Sequence, residues 1–204
     1  MSGSTADTVY ALRDNAWVRP PPLRRPRADA AAAVVGDRIV VVGGQADGAL
    51  VTATEVFDGA SWTDAAPIPT PRNVLAAATD GAYLYALGDR NLSADKNTSA
   101  AERFDPATGR WVTLPDMPTP RGGLGATYLD GRIVAVGGEE PTRVLGDVQV
   151  YDIDSGTWST SPPLGVARHG MTVVTVGATM FAVNGASRPT HTESAATGEA
   201  LDFS

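Results

Sequence analysis

The chain has no cysteine, which removes disulfide staples, thiolate metal ligands and a cysteine nucleophile together. Its only histidines are His169 and His191, so a transition-metal site would have to lean on carboxylates. Neither a metal nor a cofactor is expected. Apolar runs are short: none approaches the roughly 18 residues of a membrane span. The N-terminal MSGSTADTVY lacks the basic stretch and apolar core of an export signal. Positive charge is in deficit, with 16 Lys and Arg against 23 Asp and Glu and a formal charge of −7. That balance argues against general affinity for nucleic acid or an anionic membrane. With 43% hydrophobic and 19% charged residues, the composition fits a globular, soluble chain rather than a disordered one. A cytoplasmic location is the expectation.

What is present is repetition. A ten-residue step from tryptophan to arginine occurs four times, at Trp17–Arg27, Trp62–Arg72, Trp111–Arg121 and Trp158–Arg168. Sixteen residues after each arginine comes a doublet suited to a tight turn: Gly43-Gly44, Gly88-Asp89, Gly137-Gly138 and Asn184-Gly185. Four copies in fixed register make the chain a tandem array.

Each repeat resolves into short strands. A small, apolar strand follows the arginine (28–35, 73–79, 122–129, 170–176), then a Gly- or Asp-bearing turn, then an apolar run into the doublet. Such a turn tolerates the φ > 0 that a tight hairpin requires, and the continuous apolar run predicts a strand buried on both faces. Next comes an acidic or amide residue, an aromatic and an aspartate: Glu55-Val56-Phe57-Asp58, Glu102-Arg103-Phe104-Asp105 and Gln149-Val150-Tyr151-Asp152. From doublet to aromatic the chain takes fourteen, sixteen and fourteen residues, while the Trp-to-doublet spacing never varies. Tolerance of length, and with it function, is expected in the loops after the doublets.

These features resemble the kelch repeat, in which a glycine doublet after an apolar strand is followed by a spaced aromatic and a tryptophan. The resemblance implies an all-β, kelch-type β-propeller of four-stranded antiparallel blades. About four blades are accounted for. One domain over 1–204 is expected, with repeats at 27–62, 72–111, 121–158 and 168–204. Residues 8–17 would supply the outer strands of the closing blade, because Val9-Tyr10 through Trp17 matches the spacing of Val150-Tyr151 through Trp158. Three arrangements stay open: a closed four-bladed ring, an open arc that joins another chain in a larger ring, and a piece of a longer propeller.

The tryptophans read as packing between blades. Two readings stand for Arg27, Arg72, Arg121 and Arg168. Repeated around an axis at the start of the innermost strand, they would ring one mouth of the channel and attract carboxylates; in kelch substrate adaptors, arginines at this position contact acidic peptides. Alternatively, each bonds carbonyls or an acidic partner within its own blade. No nucleotide loop is read into the doublets, which lack GxxxxGK[ST] and a following helix. The function expected is a binding or scaffold module for a protein or acidic peptide, in preference to an enzyme. Two alternatives stand beside it: a kelch-type epimerase acting on a small acidic sugar, with His169, Glu139 and Glu140 as proton-transfer candidates, and a self-assembling structural segment, a homo-oligomer.

Overall fold

The computed structural model describes residues 4–189, 193–194 and 196–203. Among the described residues the structure has nineteen strands in chain order. Three four-stranded antiparallel blades are formed by β3 (Ala31–Val35), β4 (Arg38–Val42), β7 (Thr54–Phe57) and β8 (Trp62–Ala65); by β9 (Ala76–Thr79), β10 (Leu84–Leu87), β11 (Ala101–Asp105) and β12 (Arg110–Thr113); and by β13 (Gly125–Leu129), β14 (Arg132–Val136), β15 (Val148–Asp152) and β16 (Thr157–Ser161). A fourth blade has three strands, β17 (Thr172–Val176), β18 (Thr179–Val183) and β19 (Gly198–Asp202). Two hairpins are sheets of their own: β1 (Ala11–Arg13) with β2 (Ala16–Val18), and β5 (Gln45–Ala46) with β6 (Ala49–Leu50). The chain is a four-bladed β-propeller, with innermost strands packed in the series β3, β9, β13, β17.

Strand periodicity explains why the inner runs are apolar throughout. Successive side chains point to opposite faces, and in a propeller both faces meet a blade. Val40 and Val42 pack with Leu75, Leu84, Ala86 and Phe104 of the second blade, whereas Val41 between them faces the other way, with Phe57 and Trp62, onto Val9 and Leu23. The second blade repeats the division. Tyr85 and Leu87 meet Leu124, Ile133 and Ala135, and the third blade's Val134, Val136, Val148 and Val150 meet Met171, Met180 and Ala182. The core is therefore a row of inter-blade slabs. Near the axis the inner strands present small side chains, so that Ala33, Ala77, Ala126, Thr127 and Thr175 border a hollow of about 380 Å³.

The first strands begin two or three residues later than the sequence suggests. Asp29, Val74, Gly123 and Gly170 all take positive φ (56°, 63°, 61° and 62°), a left turn that separates the post-arginine residue from the strand proper. Both irregular doublets keep the turn: Asp89 and Asn184 stand at φ 78° and 63°, where their short polar side chains are tolerated.

The N-terminal hairpin differs from its expected register. Trp17 pairs with Leu12 rather than Tyr10, because Asp14 and Asn15 at φ 49° and 60° close a two-residue turn. Tyr10 instead accepts a hydrogen bond from Arg19 at 2.9 Å and lies under its guanidinium. This hairpin sits beside the first blade. Trp62 Nε1 donates to Pro21 O at 2.9 Å, as Trp111 does to Ala66 O (3.0 Å) and Trp158 to Pro115 O (2.8 Å). Each acceptor lies four residues after the previous tryptophan, so β1–β2 stands where the outer half of a preceding blade would stand. At the other end, the face of the fourth blade away from the third is uncovered: Val174, Val176 and Val183 are 45%, 68% and 38% exposed. The N-terminal hairpin does not cover that face, because it lies against the first blade.

Candidate functional site

The four repeated arginines are buried, Arg27 at 5% exposure and Arg72, Arg121 and Arg168 at 0%. Each is spent inside its own blade. Arg27 donates to Gly43 O (3.0 Å) and Ala53 O (2.9 Å) and pairs with Glu55. Arg121 donates to Gly137 O (2.9 Å), and Arg168 to Asn184 O (3.3 Å) and Thr197 O (2.7 Å) while pairing with Glu199. Arg72 reaches Ala86 O (2.9 Å), Thr70 O (2.7 Å) and Glu102 (2.5 Å). In three blades the acceptor is the first residue of the doublet, sixteen residues after the arginine; in the second it is Ala86, two residues earlier.

In three blades an acid completes the latch, two residues before Phe57, Phe104 and Leu201. Glu55 and Glu102 are fully buried and also accept the backbone N–H of Arg24 (2.6 Å) and Thr70 (2.9 Å). Glu199 accepts those of Gly165 and Val166; burial opposes ionisation there, but these N–H groups and Arg168 hold its carboxyl below the usual range. Burial pulls Arg27, Arg72 and Arg121 down, against the pull of their acidic partners. The third blade carries Gln149 instead, so Arg121 turns to half-exposed Asp147 at 3.5 Å. The four guanidiniums are therefore turned into their blades and are not presented at the surface.

The doublet's second amide does the complementary work between blades. Gly44 N donates to Arg72 O (3.0 Å), Asp89 N to Arg121 O (2.9 Å) and Gly138 N to Arg168 O (2.9 Å). One arginine thus fastens its own blade through its side chain and the previous blade through its carbonyl. On the first blade the acceptor, Arg27 O, is taken by Ala6 N at 3.2 Å.

The rim beside the doublets brings together two of the three proton-transfer candidates. His169 Nε2 lies 3.5 Å from Glu139 Oε2 and 2.9 Å from Arg188 O. Both neighbours are acceptors, so Nε2 carries the proton. Glu139 in turn receives Arg90 Nη2 at 2.8 Å, and Arg90 Nε lies 3.2 Å from Asp89 Oδ1. The other Asp89 oxygen accepts Gly123 N at 2.9 Å. Burial raises the Asp89 carboxyl to about 7 despite these partners. The result is a buried polar chain, Asp89–Arg90–Glu139–His169, crossing from the second blade to the fourth. Glu140 stands outside it, paired with Arg143 at 2.6 Å, and His191 lies outside the described residues.

Asp89 and Arg90 escape a reading that treats the doublet as turn chemistry alone. A signal for the network does exist in the spacing. The residue after each doublet bridges the residue after its arginine, as Ala28–Gln45, Asn73–Arg90, Gly122–Glu139 and His169–Ala186. A charge at either position therefore belongs to the rim.

Comparison with known proteins agrees with this geometry. The kelch motif family matches residues 26–69 and 120–165. Beta-scruin of Limulus polyphemus is 26% identical over 87% of this chain and 21% of its own length. Kelch-like protein terF of Aspergillus terreus is 30% identical over 70% of the chain and 35% of its own length, and Kelch-like protein 26 of Danio rerio is 29% identical over 77% and 27% respectively. The chain spans between about a fifth and a third of the length of these relatives. The chain carries kelch repeats and folds as a β-propeller.

Proposed function

We propose that this propeller is a protein-binding scaffold module that engages its ligand through the loops after the doublets. The observation that carries the reading is the contrast between frame and loops. The frame is locked by buried arginine latches at fixed spacing, whereas the loops vary in length and present charged ends such as Arg143 and Arg188, whose side chains are 64% and 67% exposed. A rigid support beneath variable loops is the usual division between scaffold and recognition. In its finer form the ligand is an acidic segment that displaces Glu140 from Arg143 and Glu193 from Arg188, while Arg27, Arg72, Arg121 and Arg168 support the site through rigidity. A cytoplasmic setting is part of the same reading.

A photo-crosslinking residue at Thr142, compared in the source cell with one at Ala178 at the opposite end of the strands, tests the module. The same protein is expected to be captured from Thr142 and not from Ala178; equal capture from both removes the reading. For the finer form, a labelled oligoglutamate peptide is expected to bind more tightly than oligolysine and to be weakened by Arg143→Glu.

The Glu139–His169 contact favours a second reading, an epimerase-like enzyme acting on an acidic sugar. Sialic acid incubated with the protein in heavy water would then exchange a carbon-bound hydrogen, visible by NMR. Lack of exchange excludes proton abstraction from that sugar.

A further inference from the structure

The two ends of the propeller carry complementary open features. At the C-terminal end, β19 is an unpaired edge, and the apolar face built by Val174, Val176 and Val183 is exposed. Its doublet is more open than the others: Asn184 is exposed and Gly185 half-buried, where Gly43, Gly44, Gly137 and Gly138 are buried. At the N-terminal end, β2 carries Trp17, which is 70% exposed. Val34 and Ile39 on the adjoining face of the first blade are 60% and 36% exposed.

We propose that a second copy of this chain closes the ring, with β2 of each copy pairing with β19 of the other to complete the fourth blade. The register follows from the third blade, where Gln149 pairs with Thr160, Val150 with Ser159 and Tyr151 with Trp158. Met180 pairs with Leu201 as Ile133 pairs with Tyr151, which makes Leu201 the counterpart of Tyr151. Trp17 then lies opposite Leu201, Val18 opposite Ala200, and Arg19 opposite Glu199. The last pair joins opposite charges across the new ladder, a favourable cross-strand arrangement. The same superposition gives Trp17 Nε1 the carbonyl of Pro162, four residues after Trp158, and gives the Gly185 amide of one copy the Arg27 carbonyl of the other, in place of Ala6.

The exchange asks little of the free chain. The β1–β2 hairpin has three residues per strand, and its Leu12 and Trp17 are mostly exposed; isolated two-stranded hairpins of this size are marginal in water. Joining β19 removes an open sheet edge and covers an exposed apolar face, both of which favour association. Two such contacts related by a two-fold axis close the assembly, at twice the four blades of one chain and within the range of about four to eight that propellers adopt.

The absence of cysteine makes the test clean. Val18→Cys and Ala200→Cys variants, prepared separately, mixed and mildly oxidised, are expected to give a cross-linked species at twice the 21.1 kDa chain mass, and neither alone should do so. Light scattering of the unmodified chain should show the same doubled mass. Trp17→Ser should weaken association by roughly tenfold or more, as truncation of an aromatic interface anchor does, while far-UV circular dichroism stays unchanged because Trp17 packs little in the free chain. A monomer at all concentrations overturns the proposal. So does a chain carrying both cysteines that cross-links within itself and keeps its monomer mass, since β2 would then complete its own blade.

Discussion

Replacing Arg72 with methionine isolates what the latch contributes. The substitution keeps length and apolar volume but removes the guanidinium from Glu102, which is fully buried. The carboxylate would retain one partner, the Thr70 N–H at 2.9 Å, and Thr70 O and Ala86 O would lose their donor. Removing one member of a buried pair costs about 3–5 kcal/mol, because the charge left behind is uncompensated. The matching change Arg121→Met is milder. Its acid, Asp147, is 51% exposed at 3.5 Å and can be solvated, and the buried position is held by neutral Gln149. What Arg121→Met loses is the hydrogen bonds to Thr119 O, Gly137 O and Asp147 O, worth about 1–3 kcal/mol in unsatisfied acceptors.

Thermal unfolding followed by circular dichroism compares the two variants. At about 2–4 °C per kcal/mol for a chain of this size, Arg72→Met should lower Tm by roughly 6–20 °C, and Arg121→Met by less. If Arg72→Met costs no more than Arg121→Met, the latch is not an ion pair that the blade depends on.

Three further outcomes follow from the geometry. In Gly137→Ala, the new Cβ would clash with Arg168 O and stand 2.6 Å from Met171 Cε at φ +58°, so Tm should fall well below that of Gly177→Ala, which has φ +61° but open space and should lose only about 1–2 kcal/mol; equal losses would refute the close inter-blade approach. Asp89 has a folded pKa raised to about 7, so its contribution is fully present below the unfolded value near 4 and is lost as pH rises through 7, at no more than about 1.4 kcal/mol per pH unit. Asp89→Asn should flatten that slope between pH 5 and 8 in urea titrations; an unchanged slope assigns it elsewhere. Trp111→Phe removes the Nε1 donor to Ala66 O and Thr54 Oγ1 but keeps an aromatic ring against Phe104. It should cost about 1–2 kcal/mol, and a loss no smaller than that of Trp111→Ala would mean that the bond, not the ring, carries the packing.

Where the sequence is informative, it is because one physical requirement recurs in every blade. The Trp-to-Arg step, the doublet and the apolar run each satisfy a contact made between neighbours, so repetition exposes them and the propeller follows. The direction of the arginine side chain is not of that kind. A position at the head of the innermost strand is compatible both with a channel mouth and with the blade interior, and the choice depends on whether an acid lies within reach. That acid was present in the pattern as Glu55, Glu102 and Glu199, about thirty residues along the chain, but its relation to the arginine appears only once antiparallel pairing folds the third strand back beside the second. Rim charges are harder still, because Arg90, Glu139 and His169 each occur in one repeat and meet only across blades. A repeated residue is therefore evidence about the frame, and a residue that breaks the repeat at a fixed place, as Asp89 does within its doublet, is where this propeller's individual chemistry should be sought.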